Sequence, residues 1–191
     1  FFILVLIIKK GTIMNASRVI IFFLYMILTS IQAQDEKVLT KMERFVSNTG
    51  KIMKLENFDL PDLKASYEVL KAKVRKATIQ DEVNYYLLLV KEDKYGDKSA
   101  AIAEDDLTEL IKAFDELINQ MENENSKSDY FENKFSTEDG FQIGYGGSGN
   151  ILWFITLEKY GKSTVIFNGY ADIKAIFGMA VKKIEDLKKD N

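Results

Sequence analysis

The sequence predicts an α+β fold: an N-terminal helix, then two tandem repeats of a four-stranded antiparallel meander followed by one amphipathic helix. Three observations lead there. The order of an apolar run, a Lys-Tyr-Gly turn, a short apolar run and an amphipathic helix occurs twice. It runs from Tyr85–Val90 through Lys94-Tyr95-Gly96 and Ala100–Ala103 to a helix near Asp105. It recurs from Ile151–Ile155 through Lys159-Tyr160-Gly161 and Thr164–Phe167 to a helix near Tyr170. Both final segments carry apolar residues at spacings of three and four, the period of a helix with one buried face. Finally, the polar, low-complexity stretch Glu122–Asp129 separates the halves as a linker would.

The first 34 residues stand apart from the fold. Phe1–Ile8 is apolar and precedes Met14, the natural start. Arg18 then supplies a positive charge, Val19–Leu28 an apolar stretch, and Ala33 a small residue for cleavage. That is the layout of a secretory signal, and the apolar run is shorter than the roughly 20 residues a spanning helix needs. The expectation is an exported protein with no stable membrane anchor after cleavage, its first repeat within 35–121 and its second within 130–191. Of 26 basic residues the leader takes Lys9, Lys10 and Arg18, leaving 23 against 29 acidic ones, a net of −6. Such a charge argues against nucleic acid as a partner.

Asp35–Val46 places Val38, Leu39, Met42, Phe45 and Val46 on one helical face, and Ser47-Asn48-Thr49-Gly50 ends it. Lys51–Phe58 reads as a strand closed by Asn57, Asp59 and Pro61. Leu63–Ala77 fits two patterns: Leu63, Tyr67, Leu70 and Val74 form a helical stripe, while Leu63/Ala65/Tyr67/Val69 alternates like a strand and shifts phase at Leu70. A bulge near Val69-Leu70 accounts for the shift, and the repeat favours strand. Val83–Val90 and Ser99–Ala103 complete the first set, before a helix over Asp105–Met121. In the second half, Tyr130–Ser136, Phe141–Tyr145, Ile151–Glu158 and Ser163–Phe167 are strands, with Asp139-Gly140 a hairpin signal. The last helix buries Ile173, Ile176, Phe177, Ala180, Ile184 and Leu187.

The chain contains no His and no Cys. That removes the usual neutral-pH base, Ser/His and Cys/His nucleophile systems, disulfides and ordinary zinc sites together. No cofactor is expected. The adjacent carboxylates Asp105-Asp106 and Glu138-Asp139 read as helix N-terminal charge and turn chemistry. Gly144-Tyr145-Gly146-Gly147-Ser148-Gly149 spells G-x-G-x-x-G, but a strand follows where a phosphate-binding helix is required, so it reads as a flexible hairpin tip. The cluster Lys71, Lys73, Arg75 and Lys76 reads as a guarded edge strand. Aromatic residues are numerous, and both faces of 85–90 and 151–155 are apolar. Either the sheets bury both faces, or one face is left for a partner. The candidate partner surface is Tyr145, Trp153, Tyr85, Gly146 and Gly147.

The segment from Phe141-Gln142-Ile143-Gly144 through Leu187 resembles, in element order, the Whirly and coactivator-type single-stranded DNA-binding folds. That resemblance implies a basic, aromatic sheet surface for single strands, and no basic signature motif is matched. The order of elements is also similar to the helix-plus-four-strand repeats of β-lactamase-inhibitor-protein-like domains, which are exported. Tyr130-Phe131-Glu132-Asn133-Lys134-Phe135 and the Glu158-Lys159-Tyr160-Gly161 turn resemble a family of small exported bacterial proteins with no assigned activity. None of these resemblances supplies a site residue. The leading expectation is a non-enzymatic binding or interaction module for a protein or small ligand. Single-stranded nucleic-acid binding is the alternative, and a carboxylate-based hydrolase the third.

Overall fold

The computed structural model describes residues 39–47, 50–94, 96–158 and 163–190. The expected leader and the residues 35–38, 95 and 159–162 therefore lie outside the described residues. The described chain is α+β, with two antiparallel sheets of five and four strands and three helices.

Helix α1 spans Lys41–Val46. The expectation had placed its start at Asp35, but Thr40 is extended and caps the helix. Its hydroxyl accepts from the Glu43 amide while the Glu43 carboxylate accepts from the Thr40 amide. This reciprocal pair satisfies two amides the helix cannot use, and so fixes where it begins. The first sheet contains β1 (Met53–Asp59), β2 (Leu63–Lys64), β3 (Val69–Ile79), β4 (Glu82–Lys91) and β5 (Lys98–Ala103). Its order is β1-β3-β4-β5, with β2 also pairing β3. Helix α2 (Glu104–Glu122) follows directly. The second sheet runs β6 (Phe131–Ser136), β7 (Gln142–Gly147), β8 (Leu152–Thr156) and β9 (Thr164–Phe167) in sequence order, and α3 (Ala171–Lys189) ends the fold.

Two expectations change here. Leu63–Ala77 is extended, but it is not one bulged strand. Leu63 pairs with Leu70 and Lys64 with Val69, and the Ala65 amide donates to the Glu68 carbonyl at 2.9 Å. The phase shift is a hairpin turn through Ala65–Glu68. The basic cluster is not on an edge either, since β3 pairs with β1 and β2 on one side and β4 on the other. Lys71 pairs with Glu92 and Lys73 with Asp59, while the Arg75 guanidinium donates to the Asn57 amide oxygen, so neighbours hold the stripe in place. Leu88 is buried on that face, between Lys73 and Ala101 in register, where long basic stems can shelter apolar surface.

Helix α2 packs against β4 and β5 of the first sheet and against β6 and β7 of the second, while α3 packs on β2, β3 and α2. The inner faces of both sheets thus share one core, including Leu70, Leu87, Ile102, Phe114, Ile143, Trp153 and Phe177. A bond from the Ser66 amide to the Ile166 carbonyl, 2.9 Å, also ties the β2–β3 turn to β9. The opposite face of the first sheet carries a smaller core, where Phe45, Met42 and Val46 of α1 cover Ala77, Ile79, Tyr86 and Ala103.

Of the glycine-rich stretch, Gly144–Gly147 is strand, and the hairpin bend expected there is confined to Ser148–Asn150. Gly144 pairs with Lys134 and Phe154, and a Cβ there would meet the Asn133 carbonyl oxygen at 2.3 Å and the Phe154 ring at 2.8 Å. The obstacle is backbone, which cannot step aside. Gly144→Ala is expected to cost about 1–3 kcal/mol through overpacking, read as a lowered urea midpoint, whereas an unchanged midpoint would show that β6 can move.

Candidate functional site

The aromatic candidates turn inward. Trp153 and Tyr145 are 1% and 0% exposed, and Tyr85 is also buried. Trp153 meets Phe114 edge-on at 5.1 Å between ring centres, with Tyr145 at 5.3 Å and Tyr170 at 5.6 Å. The Tyr145 hydroxyl accepts from the Asn133 amide at 2.8 Å and donates to the Glu124 carboxylate at 3.3 Å. Burial pushes its pKa up, so the phenol stays protonated as a structural donor. Glu124 lies in the stretch read as a linker and here docks on the second sheet. Gly146 is buried within β7, and a Cβ there would lie 2.5 Å from the Phe131 carbonyl oxygen; Gly147 ends the strand. These five residues therefore do not form an exposed surface, and their residue types are explained by packing.

A cavity of about 600 Å³ lies elsewhere, where α1, the start of β4, the β5–α2 junction and the end of α3 converge. Phe45, Tyr85 and Tyr86 give it aromatic walls, while Lys41, Arg44, Glu104, Asp105 and Lys188 bring charge. Of the sequence candidates only Tyr85 lines it.

Its charges are held by one another. The Lys41 ammonium donates to Asp105 Oδ2 at 2.7 Å and Asp106 Oδ1 at 2.6 Å. The Lys41 amide donates to Asp139 Oδ2 at 2.8 Å, so a hairpin turn 98 residues away caps α1. The two carboxylate pairs read as local chemistry thus each contribute to one tertiary cluster. Lys188 reaches back from the last turn of α3 to Glu104, with its ammonium 5.8 Å from the centre of the Tyr85 ring. The Arg44 guanidinium, by contrast, has no hydrogen-bond or ion-pair partner among the described residues.

The titrations of Lys41, Asp105 and Tyr86 move away from neutrality. Burial alone would lower the Lys41 pKa, but its bonds to Asp105 and Asp106 outweigh that and raise it. The same Lys41 bond holds Asp105 below the usual carboxylate range. Tyr86 is pushed up to about 12, first by burial and then by the negative charges of Asp105, Asp139 and Glu82. Among the described residues no group of three or more His, Cys, Asp or Glu side chains is arranged to hold a metal ion. The space between Asp105 and Asp106 is filled by the Lys41 ammonium.

Comparison with family models, curated proteins and solved structures finds no match of any of the three kinds.

Proposed function

We propose that this chain is an exported, non-enzymatic binding module whose ligand site is the cavity between α1, β4 and α3. The observation that carries this reading is a cavity of about 600 Å³ that combines aromatic walls with the Arg44 guanidinium, which has no hydrogen-bond or ion-pair partner among the described residues. Ligand sites commonly pair an apolar lining with a few placed polar groups. Lys41, Asp105 and Tyr86 have their protonation locked away from neutral pH, which supports binding over acid–base chemistry, where a group poised near the working pH is needed. Export rests on the leader, and the two strand-and-helix halves are proposed to descend from a duplication. The stacking surface that single-stranded nucleic acid needs would have to come from exposed rings, whereas Tyr145 and Trp153 are interior.

The ligand expected is small, with an apolar body and a charged head. Phenylalanine, phenylacetate and phenethylamine are suitable probes, sharing a phenyl ring and carrying a zwitterionic, an anionic and a cationic head. At least one should raise the melting temperature and move the amide resonances of Arg44, Tyr85 and Tyr86. Saturation at a hundred times the dissociation constant corresponds to about 2.7 kcal/mol of stabilisation. Arg44→Ala should abolish the response to the carboxylate probes without unfolding the protein. If none of the three probes shifts those resonances at millimolar concentration, the site reading is wrong.

A further inference from the structure

We propose that β1 is a homodimer seam, at which two copies of the chain pair antiparallel about a two-fold axis through Leu55. Among the described residues β1 pairs on one side only, with β3, so the backbone polar groups of its outer side face away from the sheet. An edge strand of seven residues is a template for another strand unless it is short, bulged, interrupted by proline, guarded by charge or covered, and the charges of β1 are of both signs, Lys54 and Glu56. Met53–Asp59 contains no proline and runs in unbroken register from Met53 opposite Ile79 to Asp59 opposite Lys73. Apolar side chains are exposed in it and just before it: Leu55 is 41% exposed, Met53 38%, and the preceding Ile52 91%.

The residues of this edge commit the seam to a second copy of the same chain. Antiparallel pairing centred on Leu55 sets Leu55 against Leu55, and sets Lys54 against Glu56 of the other copy twice, once on each side of the axis. The same register brings Ile52 opposite Phe58, an apolar partner for one of the most exposed hydrophobic residues in the fold. Shifting the axis by one residue destroys this. Centring on Lys54 opposes two lysines, and centring on Glu56 opposes two glutamates. Directly opposed residues on antiparallel strands interact, favourably for unlike charges and unfavourably for like ones. Within one copy Lys54 and Glu56 are neighbours on one face, 2.8 Å apart. Pairing of two copies extends that into an alternating row of four charges. A two-fold seam requires such self-complementarity, since each residue meets its partner's mirror position.

The test is sedimentation velocity on the purified protein at micromolar concentrations, with circular dichroism to confirm folding. The wild type is expected to be a dimer. Lys54→Glu places glutamate against glutamate, and Glu56→Lys places lysine against lysine. Each alone should weaken dimerisation by about tenfold or more. An equal mixture of the two variants should restore dimers, because every cross-seam pair is then again of opposite sign. A monomeric wild type would overturn the proposal. So would dimers that survive both single reversals, or a mixture that associates no better than its parents.

Discussion

Replacing Trp153 with alanine is expected to destabilise the protein by about 3–5 kcal/mol, the range for removing a large aromatic side chain from a packed core. The indole lies where the second sheet meets the two long helices: it contacts Phe114 of α2, Tyr145 of β7 and Tyr170 at the start of α3. Phe114 in turn stacks edge-on with Phe177 of α3 at 5.6 Å. Truncation therefore leaves a cavity bordered by α2, α3 and β7, and rigid backbone on several sides limits collapse into it. The neighbouring Leu152 points the other way and is 38% exposed. Leu152→Ala should change stability by less than about 1 kcal/mol, as surface substitutions usually do. Urea unfolding followed by circular dichroism separates the two, and as Trp153 is the sole tryptophan, its emission independently reports the wild-type transition. Comparable small losses for both variants would mean that β8 does not present Trp153 to the core.

The same strand shows what was legible in the sequence and what was not. Helices α2 and α3 follow from their spacing of apolar residues, because a single amphipathic face leaves a period that tertiary context does not need to supply. Strand β8 is apolar on both phases, Trp153/Ile155 and Leu152/Phe154, so alternation cannot say which side is buried. That was decided by helices whose residues lie before and after it in the chain. The Ala65–Glu68 turn was hidden for a local reason: it contains no Gly, Pro, Asn or Asp, and its one turn former is Ser66, the weakest of the set. The glycines of β7 misled in the opposite sense. Gly144 and Gly146 sit inside a strand because neighbouring backbone and the Phe154 ring leave no room for a side chain, a cause invisible without the pairing register. The cavity drew residues from positions 41 to 188, and no local motif marks it. Its one sequence-level trace was the pair of carboxylates Asp105-Asp106, whose common partner, Lys41, is 64 and 65 residues away.

Removing that partner gives the second large effect. Lys41→Met is expected to cost about 2–3 kcal/mol at neutral pH, below the range for severing a fully buried pair because the lysine side chain is still partly exposed. The side chains of Lys41 and Asp106 are 25% and 12% exposed, and Asp106 Oδ2 is buried with no hydrogen-bond partner among the described residues, so the ammonium is the compensation seen for this carboxylate. Asp105 is largely exposed and contributes little. The loss should depend on pH. In the wild type the Asp105 pKa is depressed by Lys41 below its ordinary 3.8, so its stabilisation is present above that value and fades as pH falls through the folded-state pKa. Asp139 works against it: burial raises its pKa, so its ionisation costs stability as pH rises through the folded-state value. Without the Lys41 charge Asp105 loses its depression, and its share of the deficit disappears once both states are protonated. Urea midpoints of wild type and variant should thus lie far apart at pH 7, and the gap should narrow towards pH 3 only by the small share that Asp105 contributes. Asp106→Asn in the Lys41→Met background should recover part of the loss at pH 7, since an amide needs no counter-charge. A deficit that is the same at both pH values, and that Asp106→Asn leaves untouched, would mean that Lys41 anchors α1 by packing alone.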